Sequence, residues 1–451
     1  MIKMIYNIFT EQVILPLSDI VLKTTLWKTF KQWKILEKKE AKDLKKLEND
    51  GLEKILNYAL KEVSYYNNLN ISHASDVKKF LANFPILTKE ILKKENLLAV
   101  ESSNLVKRSS SGSSGVQSTV YMSKKEVSAI AAIQALWWSW AGYRFGNTVL
   151  QAGINPQRGV VKRLKDIVLR FKYVNAFSLS DKDILNLLEE LKKSPRDHLI
   201  GYASSIYSMA LVAQKYGVEG VKFHSVMSLG DKMFSHYKKV IEAQFSTKVF
   251  DTYGCSEGLM MAGECEAGKY HIMSPHVYIE ILDDDNKEVK VGEIGHVVVT
   301  RLDAYAMPLI RYKLGDLAVK ADPKTKCSCG RPFPLLEKVI GRETDVIYLP
   351  SGKYVTVHSF TGIFEYFSEI KQFQVIELED GIIVRYIKDS GFNKLTLDNV
   401  RQKIHEQIDN KLKVLFKIET YIEPTASGKP CMVMSKEKAK IYLKDTKNIG
   451  V

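Results

Sequence analysis

From Thr148 to Thr252 short apolar runs alternate with longer amphipathic stretches, and this alternation restricts the fold more than anything else in the chain. Thr148–Gly153, His224–Leu229 and Val249–Thr252 read as short buried strands. Asp181–Lys193, Ser205–Tyr216 and Lys232–Phe245 carry apolar residues at helical spacing. The repetition predicts an α/β domain with substantial parallel sheet.

After Tyr270 the texture changes. Tyr278–Leu282, Gly295–Thr300 and Leu317–Lys320, with the turn Asp283–Asn286, predict a β-rich subdomain over about residues 270–340. Near Gly341 it changes again. Ile370–Glu377, Gly381–Ile387, the helix Leu397–Lys411 and Phe416–Tyr421 give strand, strand, helix, strand. The expected organisation is α/β. A large N-terminal domain, residues 1–341, has mixed and parallel sheets plus the β-rich subdomain. A small mobile α+β lid follows over residues 342–451.

Upstream, residues 30–65 read as a charged helix with one apolar face that includes Leu44, Leu52 and Leu56. Lys124–Gly142 is a strongly apolar helix ending in Trp137, Trp138 and Trp140. These rings and Tyr143 either pack a core, the usual fate of such aromatics, or wall an apolar substrate pocket. Met1–Phe30 is rather apolar, but Glu11, Pro16 and Asp19 interrupt it, and no part is long enough to span a bilayer. Val13, Leu17, Ile20, Trp27 and Phe30 sit at roughly helical spacing. Packing on its own domain is the expected use of this stretch; resting on a membrane surface is the alternative.

The net charge is +14. Much of the excess lies in Lys-rich helices such as Lys34–Lys46, not in basic residues interleaved with aromatics, which argues against a nucleic-acid partner. Anionic ligands, an acidic partner protein or an anionic membrane remain. The five cysteines are odd in number and widely spaced. They form no disulfide framework, and with no signal peptide apparent the expected compartment is the cytoplasm.

Five stretches carry chemistry. Arg108 to Gln117 holds a run of Ser and Gly before the Lys124 helix. Gly112 and Gly115 allow backbone N–H groups to converge, and Ser110, Ser111, Ser113 and Ser114 add hydroxyl donors, a cradle for phosphate oxygens. No Gly-Lys-Ser/Thr follows, so it is not a Walker loop; a flexible linker is the alternative. Asp251-Thr-Tyr253-Gly254-Cys-Ser256-Glu257 follows a short strand. There Glu257 could ligate magnesium or merely cap a helix. Pro308 to Asp316 ends in a Gly-Asp that could accept both hydroxyls of a ribose, or be an ordinary turn. Gly341-Arg342-Glu-Thr-Asp345 offers a guanidinium for nucleotide oxygens and a candidate hinge at Asp345. Pro424 to Pro430 carries Lys429 on a Gly/Ser turn.

In this order and at these separations the five pieces resemble the adenylate-forming superfamily of acyl- and aryl-CoA ligases. Within it they resemble the branch of phenylacetate–CoA ligase and related capsule-biosynthesis proteins. Arg108 to Gly115 resembles the family's phosphate loop, and Tyr253 to Glu257 its Tyr-Gly-x-Ser/Thr-Glu. Arg311-Tyr-Lys-Leu-Gly-Asp316 resembles Arg-Tyr-x-Thr-Gly-Asp, and Gly341-Arg342 and Ser427-Gly-Lys429 the hinge and C-terminal lysine motifs. The resemblance covers most of the chain. It implies ATP-dependent activation of an aryl or small acyl carboxylic acid as acyl-AMP, with pyrophosphate release, then transfer to a thiol such as coenzyme A. Transfer to an amine, a sugar or an acyl carrier protein, or a non-catalytic nucleotide-binding role, are the alternatives. It implies that Ser110–Gly115 cradle the ATP phosphates and Glu257 holds Mg²⁺. Tyr253, Gly254, Ser256, Asp251 and the Gly230-Asp231 turn would contribute to the nucleotide site, with Asp316 and Arg342 at the ribose. Lys429 would sit between substrate carboxylate and α-phosphate. The chain departs at Val116, where many members have Lys, and at Leu314, where Thr often precedes Gly-Asp.

Cys327-Ser-Cys329-Gly and the upstream pair Cys265 and His271 bring three thiols and an imidazole to the β-rich subdomain. The residues alone fit a closed tetrahedral zinc site or buried free thiols. Similar positions in the resembling branch imply structural zinc. Neither the identity of the acid nor a homodimer can be read from the residues.

Overall fold

A computed structural model describes residues 2–109, 119–153, 159–176, 179–343, 346–349, 354–364, 366–367, 369–423, 431–436 and 439–440. The chain divides into two units. The larger takes in residues up to Leu314 and again from Ala318 to Lys338; the smaller holds Gly315–Leu317 and the residues from Val339 onward.

The larger unit starts with helices α1 (Ile2–Phe9), α2 (Leu15–Val21), α3 (Leu26–Leu36) and α4 (Ala41–Glu62), with a π-helical turn Thr10–Ile14 joining the first two. Strands β1 (Val106–Ser109) and β2 (Thr119–Met122) pair antiparallel on either side of the serine stretch. Helix α5 (Lys124–Trp140) follows. Ser123 caps it in a reciprocal box with Glu126, satisfying first-turn N–H groups that have no partner in the helix.

Next comes the α/β layer: β3 (Val149–Gly153), α6 (Val160–Val168), β4 (Phe171–Asn175), α7 (Asp181–Lys193), β5 (His198–Tyr202), α8 (Ala203–Lys215), β6 (Ser225–Leu229), α9 (Ser235–Phe245) and β7 (Val249–Phe250). The sheet is wholly parallel, in the order β4-β3-β5-β6-β7. The order reverses at β3, and open parallel sheets bind ligands beyond the strand C-termini at such a reversal. The sequence reading finds three of the five strands. It misses β4 and β5, whose polar residues Lys172, Tyr173, His198 and Tyr202 break the apolar run.

β8 (Thr252–Gly254), β9 (Met260–Glu264), β10 (Tyr270–Ile272) and β14 (Leu335–Leu336) form an antiparallel sheet in the order β14-β10-β9-β8. β11 (Val277–Leu282), β12 (Ile294–Arg301) and β13 (Tyr312–Val319) lie side by side in another. The aromatics of α5 are core. Trp137 and Trp140 pack with Trp33, Met273, Phe333 and Cys265, and Tyr143 packs with Trp27, Phe145 and Val149. The pocket-wall alternative for Trp137, Trp140 and Tyr143 gives way to packing, because strand β9 passes so close that a Cβ on Gly263 would lie 2.4 Å from the Trp137 ring.

The smaller unit contains β15 (Lys338–Arg342), the pair β16 (Val346–Tyr348) and β17 (Tyr354–Thr356), and helix α10 (Val357–Phe364). It also has β18 (Ile370–Leu378), β19 (Gly381–Lys388), α11 (Lys394–Gln407), β20 (Lys413–Ile418) and β21 (Val433–Met434). Its sheet runs β20-β19-β18-β21, antiparallel only between β18 and β19.

Candidate active site and metal centre

Glu257 sits on the hairpin between β8 and β9, not at the helix start that the sequence allowed. The pairing shifts register between Tyr253 and Gly254. The loop closes through Cys255 N–H to Leu259 O (3.0 Å) and Gly258 N–H to Cys255 O (3.1 Å). Gly258 has φ +82°, and a Cβ there would lie 2.7 Å from Met122 Sδ and 2.8 Å from Arg301 Nη1. Only glycine fits this left-handed, crowded position. Glu257 is 5 % exposed. Its Oε1 faces the Tyr312 hydroxyl at 3.4 Å, and its Oε2 accepts from Ser256 Oγ at 3.2 Å. A buried, oriented carboxylate supplies the hard oxygen that Mg²⁺ prefers.

Beneath this hairpin lies a network the sequence reading missed. Arg301 is 1 % exposed, and its Nε donates to Asp303 Oδ1 at 2.7 Å. Asp303 Oδ2 lies 2.8 Å from His276 Nδ1, and His276 Nε2 accepts from Met260 N–H at 3.3 Å. Burial opposes the Asp303 charge, yet His276 and Arg301 pull its pKa well below the usual carboxylate range. Arg301 Nη2 has no hydrogen-bond partner among the described residues. Nothing in Val-Thr-Arg-Leu-Asp announces a buried guanidinium; its signal is spatial, the approach of Gly258.

The other nucleotide-site candidates fall into two groups. In the larger unit, Asp231 caps helix α8 from outside. Its carboxylate accepts from Ala203 N–H (2.6 Å), Ser204 N–H (3.2 Å) and Ser204 Oγ (2.5 Å). Gly230 has φ +78° and presses on the Tyr202 ring, which a Cβ at this position would approach to 2.4 Å. Tyr253 is half-buried on β8 opposite Ala262, and Gly254 and Ser256 are exposed. Asp251 accepts from Ser228 Oγ and, at 2.5 Å, from Tyr270 Oη, so both its oxygens tie neighbouring strands together. In the smaller unit Arg342 Nε meets Asp316 Oδ1 at 3.1 Å. Ser110, Ser111, Gly112, Ser113, Ser114, Gly115, Asp345 and Lys429 lie outside the described residues.

Asp251 gives a pH prediction. Desolvation, reinforced by the Glu264 carboxylate, raises its pKa to about 6. A carboxyl raised in the native state gives stability that is complete below its unfolded pKa, about 3.9, and lost as pH rises through about 6. Between about pH 4 and pH 8 the wild type should lose about 2–3 kcal/mol more than Asp251→Asn, measured by urea unfolding. Equal pH dependence in both would refute this.

The sulfur-rich cluster is compact. One ligand atom each from Cys265, His271, Cys327 and Cys329 lies within 4.8 Å of every other. Cys265 Sγ and Cys327 Sγ are 3.6 Å apart, and Cys329 Sγ is 3.2 Å from His271 Nε2. Tetrahedral zinc bonds of about 2.0–2.3 Å set ligands about 3.5 Å apart, and a disulfide would need about 2.05 Å. The cluster fits zinc. His271 Nδ1 lies 3.3 Å from Phe333 O, so donation there leaves Nε2 as the lone-pair nitrogen aimed at the cluster. Burial lowers the His271 pKa to about 4, which keeps the ring neutral. Burial pushes the Cys265 thiol up to about 12. At Cys329 burial also opposes ionisation, but hydrogen bonds from Arg331 and the other thiols win and lower it. Zinc bound there would hold the thiols as thiolates and tie the β9–β10 hairpin to the loop before β14.

The CapK C-terminal domain family matches residues 347–436. Phenylacetate–coenzyme A ligase of Thermus thermophilus is 32% identical over 117 residues, 25% of this chain and 26% of that protein. The chain thus aligns with only about a quarter of that relative's length. Protein CapK of Staphylococcus aureus is 22% identical over 342 residues, 72% of each chain. Among solved structures, 2-hydroxyisobutyryl-CoA ligase in the postadenylation state superposes with a TM-score of 0.70, at 18% identity, over 87% of this chain and 89% of that one. The chain therefore has the fold of the adenylate-forming ligases and is similar in sequence to phenylacetate–coenzyme A ligases and to CapK.

Proposed function

We propose that this protein activates a small carboxylic acid with ATP as an acyl adenylate, releasing pyrophosphate, and passes the acyl group to a thiol such as coenzyme A. The observation that carries this reading is Glu257. It is a buried acid fixed on a glycine-bound hairpin, in a chain whose homologues are acid–CoA ligases. A carboxylate attacking a triphosphate brings two anions together, so fixed cations and donors must offset the repulsion. Magnesium held by Glu257 would neutralise phosphate charge. Ser110–Gly115 would supply donors to the phosphates, Asp316 would accept the ribose hydroxyls with Arg342 beside it, and Lys429 would bridge carboxylate and α-phosphate. The compartment implied is the cytoplasm; no helix among the described residues is long and apolar enough to cross a membrane.

A second reading gives the acyl group to an amine, a sugar or an acyl carrier protein. The motif resemblance to capsule-biosynthesis proteins of this branch motivates it. ATP–pyrophosphate exchange over a panel of aryl and short-chain acids tests the first half-reaction. Lys429→Ala should lower exchange at least about a hundredfold. Adding coenzyme A, then amines, to the preformed adenylate decides the acceptor. No exchange with any acid, despite ATP binding, would overturn the enzymatic reading.

A further inference from the structure

The N-terminal helices are built inside out. In the run from α1 through the π turn to α2, the residues turned inward include Asn7 (5 % exposed) and Thr10 (0 %). Ile5, Phe9, Val13, Leu17 and Val21, spaced every four residues, all face outward, and beside them Ile20 is 74 % exposed. A four-residue repeat drifts around an α-helix, which turns every 3.6 residues. The wider π turn Thr10–Ile14 offsets that drift and keeps the row on one face.

The polar side is pinned down. Lys3 pairs with Asp197 at 2.6 Å, and Arg144 forks onto Glu11 at 2.7 and 3.2 Å. Asp19 accepts from Thr24 Oγ1 and from the backbone N–H groups of Trp27 and Lys28. The outward apolar face is therefore the orientation this surface fixes, not a frayed end. Of the residues the sequence expects to pack inward, Trp27 does but Val13, Leu17 and Ile20 do not; Leu15, outside that set, is buried instead.

Helix α6 lies beside α1 at its C-terminal end. The Tyr6 hydroxyl donates to Val168 O at 2.7 Å, and the Arg170 guanidinium lies 5.3 Å from the Tyr6 ring centroid. Val160 (84 %), Leu164 and Ile167 (72 %) are exposed at i, i+4 and i+7. Lys162, Arg163 and Lys165 are exposed among them. Soluble monomers rarely expose this many large apolar side chains in ordered rows on neighbouring helices without a partner.

The charges choose that partner. The exposed ionic side chains beside these apolar rows are Lys23, Lys162, Arg163 and Lys165; Asp166 is half-buried, Lys3 is paired with Asp197, and Glu11 and Asp19 are engaged inward. A second copy docked by two-fold symmetry would set this basic patch against itself. Exposed Ile, Leu, Val and Phe ringed by Lys and Arg are what an in-plane helix presents to anionic lipid. We propose that the outer face of α1, α2 and α6 docks on an anionic phospholipid bilayer, with the protein lying on the membrane and not crossing it.

The test is co-sedimentation of the full chain with phosphatidylcholine vesicles and with vesicles of equal parts phosphatidylcholine and phosphatidylglycerol. Partition should be at least about tenfold stronger on the anionic vesicles and weaken with salt. Leu164→Glu with Ile167→Glu should lower it at least about tenfold. Lys162→Gln and Arg163→Gln should each lower it about fivefold. These side chains are exposed, so melting temperature should be unchanged. No binding to either vesicle, or binding indifferent to the Leu164/Ile167 pair, would overturn the proposal. So would a wild-type dimer, seen by analytical ultracentrifugation, that those substitutions dissociate. None of these readouts depends on adenylate formation.

Discussion

Glu257→Gln is expected to slow ATP–pyrophosphate exchange at least about a hundredfold while leaving the fold intact. The amide keeps the size of the side chain and an oxygen for the Tyr312 hydroxyl, now 3.4 Å from the carboxylate. It removes the negative charge, and with it the affinity for a hard divalent cation. The loss should appear in the apparent magnesium requirement as well as in the rate, because the substitution acts on the metal and not on the acid pocket. Tyr312→Phe is the graded control. It leaves the charge but removes one hydrogen bond that orients it, so its effect should be smaller and partly rescued by higher magnesium. Exchange in Glu257→Gln within about threefold of wild type, with an unchanged melting temperature, would take Glu257 out of the chemistry.

What the chain reveals before folding follows from how local each signal is. The strands at Val149, Ser225 and Val249, and the helices between them, are legible because burial on both faces forces continuous apolar runs. β5 escapes because His198 is buried with a private partner: its Nδ1 lies 2.8 Å from Ser225 Oγ, a pairing between strands that no local pattern records. Glu257 is legible as a motif, but its setting is not. Arg301, Asp303 and His276 come from separate segments, and only the crowding at Gly258 explains why a guanidinium lies under the hairpin. The resemblance implies that Asp251 and Asp231 belong to the nucleotide site, but no local pattern shows that their carboxylates also accept from Ser, Tyr and backbone donors. The N-terminal stretch misleads differently. Its helical spacing is correct, but periodicity alone does not say which face turns inward, and ion pairs to Arg144 and Asp197 decide it.

Cys329→Ser is expected to empty the metal centre and lower the melting temperature by about 5 °C. The protein prepared without chelator should carry about one zinc per chain, and the variant less than about a tenth of that. A closed zinc site contributes several kcal/mol to folding, and about 3–5 kcal/mol lost from a unit this large moves the midpoint by that amount. Serine is nearly isosteric, so a free-thiol cluster would tolerate it with little change; the size of the shift separates the two readings. Reducing agent alone should do nothing, because Cys265 Sγ and Cys327 Sγ stand 3.6 Å apart, beyond bonding distance. Wild-type protein with less than about a tenth of a zinc per chain would end the metal reading. If zinc is present, its loss should also reach the active site by a structural route. His271 pairs with Gly263 in β9, and β9 pairs with β8 at the base of the Glu257 hairpin. Releasing the β9–β10 staple therefore loosens the strand that aims Glu257. Exchange activity should therefore fall in Cys329→Ser by more than the unfolded fraction accounts for on warming, with a raised magnesium requirement in the folded fraction.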